Sequence, residues 1–131
     1  MTAHCQDLVD RFGVRTGPLD DPVAGLSGGN LQRLLVGREL GSGPGVVVAA
    51  QPTRGLDVQG VKAIQDLLVA ERDTGTAVLL ISEDLDELLT LSDRLVVMHQ
   101  GRILAEFDPR NSERSVIGEA MAGHLPEEGA A

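Results

Sequence analysis

A hydroxyl residue and two glycines, Ser27-Gly28-Gly29, stand directly before a helical pattern over Leu31 to Leu40. Because glycine has no side chain, backbone N–H groups at such a helix start are open to a ligand, and the helix dipole adds positive potential there. Ser27 is also a favoured residue for capping a helix. These residue types at this spacing favour contact with a phosphate group.

The loop that usually holds a nucleotide's phosphates, Gly-x-x-x-x-Gly-Lys-Ser/Thr, does not occur in this sequence. The sequence therefore predicts a loop that touches a nucleotide, without the loop that would hold one. Taken alone, Gly28-Gly29 is more simply interpreted as an ordinary turn before a helix, because short glycine motifs often match by chance.

Composition excludes several functions. The 131 residues carry 20 acidic and 11 basic side chains, a formal net charge of −9, which argues against independent binding of nucleic acid or of an anionic membrane surface. With no Trp or Tyr, stacking on bases is not expected. The single cysteine, Cys5, excludes an internal disulfide and fits a reducing compartment. We expect neither a signal peptide nor a membrane-spanning segment.

Strand and helix patterns alternate around the loop. Continuous apolar runs at Val46–Ala50 and Ala77–Ile81 predict two strands, Val46–Ala50 and Thr76–Ser82, that are buried on both faces as in a parallel sheet. Helical spacing between them covers Val58 to Arg72. Two further strands, Arg94–His99 and Arg102–Phe107, are separated by two residues and predict a hairpin. The alternation predicts an α/β layered architecture.

The remaining segments are shorter. Helices are predicted over Ala3–Phe12 and Ser112–Met121, and Asp84 with Glu87 three residues later predicts a capping box that opens a helix ending at Leu91. Gly13 to Leu26 is rich in Gly and Pro and predicts a loop. The acidic end, Leu125 to Ala131, is expected to fray.

Three motifs in a fixed order indicate a family. They are Leu26–Asn30 (LSGGN), Gln51–Asp57 (QPTRGLD) and Leu79–Leu85 (LLISEDL). In this order and spacing they resemble the ATP-binding cassette (ABC) ATPase domain, over about Ala3 to Gly123. Asn30 and the turn ending at Asp57 narrow the resemblance to the second cassette of bacterial sugar- and nucleoside-type importer ATPases.

The resemblance implies a truncated P-loop NTPase fold of the α/β class. Such a fold has a parallel-sheet core, flanking helices and a C-terminal β-hairpin, and here it lacks the Walker A strand, which in the family's order lies upstream of Met1. The chain, 1–131, would be the C-terminal part of one ABC ATPase domain. Within it, 1–40 would belong to the helical subdomain, which carries the signature loop (Leu26–Asn30). Residues 41–107 would form the core from Walker B to the hairpin, and 108–131 a C-terminal tail.

Three positions depart from the family's pattern. Ala50 stands where an Asp positions Mg²⁺, Gln51 where a Glu acts as general base, and Glu83 where a His lies near the γ-phosphate. Alanine has no oxygen to offer, an amide cannot take a proton, and a carboxylate repels phosphate. A general base typically accelerates such a reaction by ~10²–10⁴-fold. We expect the chain's own catalytic site to be degenerate, with no intact catalytic residue and no metal ligand.

In the family, cassettes pair head to tail, and the signature loop of one covers ATP held by the Walker A loop of the other. The resemblance therefore implies that Ser27, Gly28, Gly29 and Asn30 contact ATP held by a partner cassette, whose site also holds Mg²⁺. Asp57 resembles the residue that touches the partner's Walker A region, and it could equally be a plain helix cap. Membrane permease subunits and a substrate-binding protein are implied as further partners, at the cytoplasmic face of the bacterial plasma membrane.

Whether the chain itself takes part in ATP hydrolysis stays open, and two alternatives accompany the importer interpretation. The chain could be a non-enzymatic interaction fragment or a decayed gene product. ATP binding by the isolated chain is a test here, because detectable affinity would contradict a role limited to the partner's ATP site. It could also be a soluble ABC ATPase of DNA repair or translation. The net charge of −9 and the importer-like Asn30 count against the second alternative.

Overall fold

The structure, a computed structural model, describes residues 2–124. Its chain divides into two compact units, Met1–Ile81 and Ser82–Ala131. None of the helices within 2–124 has both the length and the apolar character needed to cross a membrane. The helices and strands in chain order are α1 (Thr2–Arg11), α2 (Gly28–Leu40), β1 (Val46–Ala50), α3 (Val58–Asp73), β2 (Ala77–Ile81), α4 (Leu85–Leu91), β3 (Leu95–His99), β4 (Arg102–Phe107) and α5 (Arg114–Met121), with a 3-10 turn at Val23–Gly25.

The first unit contains the parallel sheet. Strands β1 and β2 pair in register from Val46 opposite Ala77 to Ala50 opposite Ile81, and α3 forms the connection between them. One face of the sheet packs against α3, whose Ile64 is fully buried among the inward-facing side chains of both strands. The predicted parallel α/β arrangement is therefore confirmed.

The opposite face of this sheet is open. Its side chains Val46, Val48, Leu79 and Ile81 are 65%, 62%, 52% and 49% exposed. The prediction that both strands are buried on both faces was wrong, because successive side chains point to opposite faces and only one face meets a helix of this unit. The result is an exposed apolar surface, which we call the open sheet face.

A second group of buried apolar side chains in this unit packs α2 against α1. Leu8 and Phe12, at the end of α1, pack with Leu40 at the end of α2. Gly37 of α2 lies against the Phe12 ring so closely that a Cβ there would sit 2.6 Å from a ring carbon. Arg11 reaches across to Glu71 of α3 at 3.5 Å. The packing of Leu40 and Gly37 against α1 and Phe12 positions α2, whose first turn carries the predicted phosphate-facing glycines.

The second unit is built on the predicted hairpin. Strands β3 and β4 pair antiparallel around Gln100 and Gly101, whose φ angles of 48° and 76° fit a tight two-residue turn. A register shift between Val97 and Met98 marks a bulge. The buried core packs α5 against the hairpin, with Ile117 fully buried.

Helix α4 departs from its predicted cap. Asp84 accepts hydrogen bonds from the N–H groups of Asp86 and Glu87, at 2.9 and 3.2 Å, as a helix cap should. The reciprocal bond of a capping box is absent, because the Asp84 N–H donates to Ser82 Oγ at 3.0 Å. Glu87 is instead 3% exposed, and neither of its carboxylate oxygens has a hydrogen-bond partner within residues 2–124. The predicted capping box is therefore half wrong.

The other boundaries move slightly. Helix α5 begins at Arg114 rather than at the predicted Ser112, and α1 ends at Arg11 rather than Phe12. Helix α2 begins at Gly28, so the glycines form its first turn. The segment expected to fray, 125–131, lies outside the described residues.

Candidate functional site

The starts of α2 and α3 meet at one cleft of about 390 Å³ in the first unit. The cleft is lined from the α2 side by the segment 27–30 and from the α3 side by the turn that ends at Asp57. The five residues that the sequence analysis assigned to nucleotide contact therefore lie around a single space: Ser27, Gly28, Gly29, Asn30 and Asp57.

The α2 side offers hydrogen-bond donors. Ser27 has extended backbone angles (φ −62°, ψ 154°) and caps the helix, its Oγ accepting from the Asn30 N–H at 3.4 Å. The N–H groups of Gly28 and Gly29 have no acceptor among the described residues. Apart from its chain neighbours and the backbone of its own helix, no atom lies within 4 Å of the point where a Cβ on Gly28 would be. This end of α2 can therefore receive an anion.

Asn30 connects the helix start to the loop before it. Its Oδ1 accepts a hydrogen bond from the Arg15 N–H at 2.8 Å, and its Nδ2 donates to Ser27 Oγ at 3.0 Å. Arg15 was not among the residues predicted from the sequence, yet it lines the cleft. No local pattern could have indicated it, because the two residues that the bond joins are fifteen positions apart.

The α3 side is organised by Asp57. Its Oδ1 accepts from the Gly60 N–H at 2.7 Å, so the predicted helix cap is confirmed. A Cβ on Gly60 would lie 3.0 Å from Asp57 Oδ1, so the absence of a side chain there permits this close packing. The turn before Asp57 is tied to α2 by Gln32, whose Nε2 donates to the Pro52 carbonyl at 2.9 Å.

Charge in the cleft differs from that of the chain as a whole. Arg15 and Arg33 both line the cleft, and within residues 2–124 neither has a carboxylate partner. Arg33 Nη1 donates to the Gly13 carbonyl at 2.8 Å, which keeps its guanidinium beside the loop. Asp57 contributes one negative charge on the opposite side. Two guanidinium groups and two helix starts favour an anionic ligand.

The positions that depart from the family's pattern lie elsewhere. Ala50 is the exposed last residue of β1, and Gln51 follows it with a φ of 50° and donates its N–H to the Ile81 carbonyl at 2.8 Å. Glu83 is exposed and belongs to the second unit. Among residues 2–124 there is no group of three or more His, Cys, Asp or Glu side chains placed to hold a metal ion. The end of β1 therefore carries neither a carboxylate nor a metal-binding cluster.

Comparison with curated proteins identifies relatives. The chain is 44% identical over 125 residues to a glucose import ATP-binding protein of Haloferax volcanii, and 40% identical over 128 residues to a guanosine import ATP-binding protein of Bacillus subtilis. The alignments cover 94% and 98% of this chain, and 23% and 25% of those proteins. Over nearly its whole length, the chain is therefore similar to one part of these import ATP-binding proteins. It spans about a quarter of the length of the curated relatives that it matches.

Solved structures show a similarity of the same kind, although no model of a known protein family matched the chain. A component of an ABC transporter complex from Clostridium perfringens is 28% identical, with a TM-score of 0.68 over 92% of this chain and 47% of that one. An ABC transporter cassette in its ADP conformation, 23% identical, shares the fold with a TM-score of 0.71 over 96% of this chain and 48% of that one. The predicted fold, part of an ABC ATPase domain, is confirmed, as is the resemblance to sugar and nucleoside importer proteins.

Proposed function

We propose that this chain completes an ATP site whose nucleotide is held by a partner cassette, within an importer of simple sugars or nucleosides. The observation that carries the proposal is the cleft where the Ser27 hydroxyl and the unbonded N–H groups of Gly28 and Gly29 lie together. A terminal phosphate presents only acceptor oxygens at neutral pH, so a set of donors at a helix start is complementary to it.

The relatives support the choice of process. Their names describe import of glucose and of guanosine, and another relative, from Lactococcus lactis, is a nucleoside import ATP-binding protein 38% identical over 123 residues. A solved cassette that shares the fold, 23% identical with a TM-score of 0.70, is a dimer in a post-hydrolysis state with ADP and phosphate. We propose that this chain likewise acts with a second cassette, with permease subunits and with a substrate-binding protein, at the cytoplasmic face of the membrane.

The chain's own residues fit phosphate contact better than metal binding. Ala50 has no ligand atom in its side chain, and Gln51 offers an amide, which can orient water but cannot accept its proton. We therefore assign Mg²⁺ and the general base to the partner's site. ATP and Mg²⁺ supply the phosphoryl-transfer chemistry, and this chain supplies donors.

Four residues of the cleft then have distinct roles. Ser27 donates its hydroxyl hydrogen to an oxygen of the terminal phosphate, and the Gly28 and Gly29 N–H groups donate to neighbouring oxygens. Charge develops on these oxygens during the reaction, so donors fixed by a helix start stabilise the transition state. Asp57 caps α3 and presents its second oxygen to the partner across the same cleft.

ATP hydrolysis by a mixture tests the proposal. The purified chain is added to the guanosine import ATP-binding protein of Bacillus subtilis, and the chain-dependent increase in the rate is measured. Ser27→Arg places a bulky cation in the cleft and should abolish the increase. Ser42→Arg, at an exposed residue beyond the end of α2, is the matched control and should retain it. The proposal fails if the wild-type chain gives no increase, or if Ser27→Arg gives the same increase as wild type.

The open sheet face supports a second candidate function, an interaction module without nucleotide chemistry. Its apolar side chains Val48 and Leu79 are more than half exposed, and exposed apolar patches often mark binding surfaces. In this case Ser27→Arg would leave association with the partner unchanged, and the wild-type chain would associate without altering hydrolysis. Sedimentation of the same mixtures distinguishes the two functions.

A further inference from the structure

We infer that Asn30 is a positioning residue, which turns the Ser27 hydroxyl toward the phosphate rather than contacting the phosphate itself. The inference rests on the proposed function of the cleft and assigns a role to a residue that the sequence analysis grouped with the direct contacts. It depends on three hydrogen bonds that meet at two side chains.

The orientation of the Asn30 amide is fixed by its neighbour. The two ends of an amide group are chemically distinct, one accepting hydrogen bonds and the other donating them. The Arg15 N–H, 2.8 Å away, can only donate, so the oxygen of the Asn30 side chain must face it. The NH₂ end therefore faces Ser27 Oγ, at 3.0 Å.

Ser27 is consequently supplied with donors. Its Oγ accepts from Asn30 Nδ2 and, at 3.4 Å, from the Asn30 backbone N–H. A serine hydroxyl has two acceptor lone pairs and one donor hydrogen. With both lone pairs engaged by Asn30, the hydrogen is left to point elsewhere, and Ser27 lines the cleft. A phosphate oxygen needs a donor, and this arrangement leaves the hydroxyl free to act as one.

The same bonds join two segments of the cleft. Asn30 lies in the first turn of α2, whereas Arg15 lies in the loop that leads to it. Because one amide serves both, the orientation of the hydroxyl depends on the position of the loop. A substitution at residue 30 that keeps the bond to Arg15 but reverses the bond to Ser27 isolates the positioning role.

Asn30→Asp is such a substitution. The introduced carboxyl can still accept from the Arg15 N–H, but its second oxygen cannot donate to Ser27 and must accept from it. The Ser27 hydrogen is then drawn away from the cleft. Because the introduced carboxylate accepts a hydrogen bond from the Ser27 hydroxyl, its charged form is favoured and its pKa is lowered.

The first measurement is made on the isolated chain. NMR pH titration follows the introduced carboxyl in Asn30→Asp and in the double variant Asn30→Asp with Ser27→Ala, and thermal unfolding confirms that both are folded. We expect a lower pKa when Ser27 is present. Equal pKa values in the two variants would overturn the inference, because the side chain at position 30 would then not be bonded to the hydroxyl.

The second measurement uses the chain-dependent hydrolysis described above. Asn30→Asp should lower kcat by about tenfold or more, as expected for loss of a donor to the developing charge. The KM for ATP should change by less than about threefold, since the partner holds the nucleotide. Gln59→Glu adds the same charge to the lining of the cleft without contacting Ser27, and its smaller effect measures the contribution of charge alone.

A double-mutant cycle completes the test. Asn30→Ala should lower kcat in the wild-type chain and have no further effect in Ser27→Ala, because Asn30 acts through that hydroxyl. Equal losses in the two backgrounds, or wild-type kcat in Asn30→Asp, would overturn the inference while leaving the proposed function intact. If the wild-type chain does not stimulate hydrolysis, the proposed function fails, and the pH titration still decides whether Asn30 orients Ser27.

Discussion

Ser27 and Asp57 cap two different helices whose first turns line the same cleft. The Ser27 oxygen accepts the Asn30 N–H at 3.4 Å and the Asp57 carboxylate accepts the Gly60 N–H at 2.7 Å. Each cap is a local feature, yet packing of α2 on α3 brings them together. The cleft therefore combines the positive ends of two helix dipoles in a chain whose net charge is −9.

Gly28 offers a substitution that separates function from stability. Outside its own helix and its chain neighbours, no atom lies within 4 Å of the position that a Cβ would take. Gly28→Ala should therefore leave the free energy of unfolding unchanged or raise it by about 0.4–1 kcal/mol. The methyl group would occupy space that the phosphate needs, and chain-dependent hydrolysis should fall several-fold. Urea denaturation and the hydrolysis assay measure the two effects.

Gly118→Ala is the control for this experiment. Gly118 lies inside α5, and outside its own helix no atom lies within 4 Å of its Cβ position, so alanine should stabilise the helix by up to about 1 kcal/mol. Hydrolysis should be unaffected. Full activity in Gly28→Ala would show that the phosphate does not approach this residue.

The open sheet face should cause self-association of the isolated chain. Val48 and Leu79 are paired across the two strands and are 62% and 52% exposed. Replacing both with Thr keeps a β-branched side chain at Val48 and introduces one at Leu79, so each change should alter stability by less than about 0.5 kcal/mol while reducing apolar surface. Light scattering should then show less aggregation at equal concentration.

A matched change on the other face of the sheet provides the contrast. Val47 packs toward α3, so Val47→Thr buries a hydroxyl and should lower the free energy of unfolding by about 1 kcal/mol or more. Aggregation that is unchanged in the Val48 and Leu79 double variant would mean that this face does not drive association.

Glu87 should be a source of instability. Its carboxylate is buried in the second unit and has no hydrogen-bond partner among the described residues. Glu87→Gln replaces the unpartnered carboxyl group by an amide, which costs less to bury, and should raise the free energy of unfolding by about 1 kcal/mol or more. The exposed Glu119 of α5 is the control, and Glu119→Gln should have no measurable effect. A lower unfolding midpoint in Glu87→Gln would show that the carboxylate is stabilising.

The hydrogen bond between Arg94 and Glu106 should make the free energy of unfolding depend on pH. A hydrogen bond from Arg94 holds the pKa of Glu106 below its ordinary value of 4.5. Because the pKa is lowered in the folded state, the stabilisation is present above the ordinary value and is lost as the pH falls through the folded one. Glu106→Gln should therefore be slightly less stable than wild type at pH 7 and no less stable at strongly acidic pH. A difference of the same size at both pH values would contradict this assignment.

The local parts of this structure were predictable from the sequence. Ser27 and Asp57 are residue types that cap helices, and Gln100-Gly101 is suited to a tight turn, so the helix starts and the hairpin follow from nearby residues. The ordered motifs also predicted the family. These features depend on a few consecutive residues, which is why a single sequence suffices.

Features that depend on distant residues were not predictable. The bond from Arg15 to Asn30 joins a loop to a helix across fifteen positions. The continuous apolar run of β1 predicted burial on both faces, and its open face depends on which elements pack against the sheet, which the run does not encode. The Asp84 cap was predicted, but the orphaned carboxylate of Glu87 depends on tertiary packing.

In the proposed function, residues 27–30 touch the phosphate of a nucleotide held by another cassette. This contact is tested most directly with an ATP analogue that carries a photoreactive group on its terminal phosphate. The Bacillus subtilis guanosine import ATP-binding protein is loaded with this analogue, mixed with the chain and illuminated, and the labelled peptides are mapped. We predict transfer of the label to residues 27–30 of this chain, and loss of that transfer in Ser27→Arg. Label confined to the loaded protein, or spread over this chain without preference for the cleft, would contradict the account.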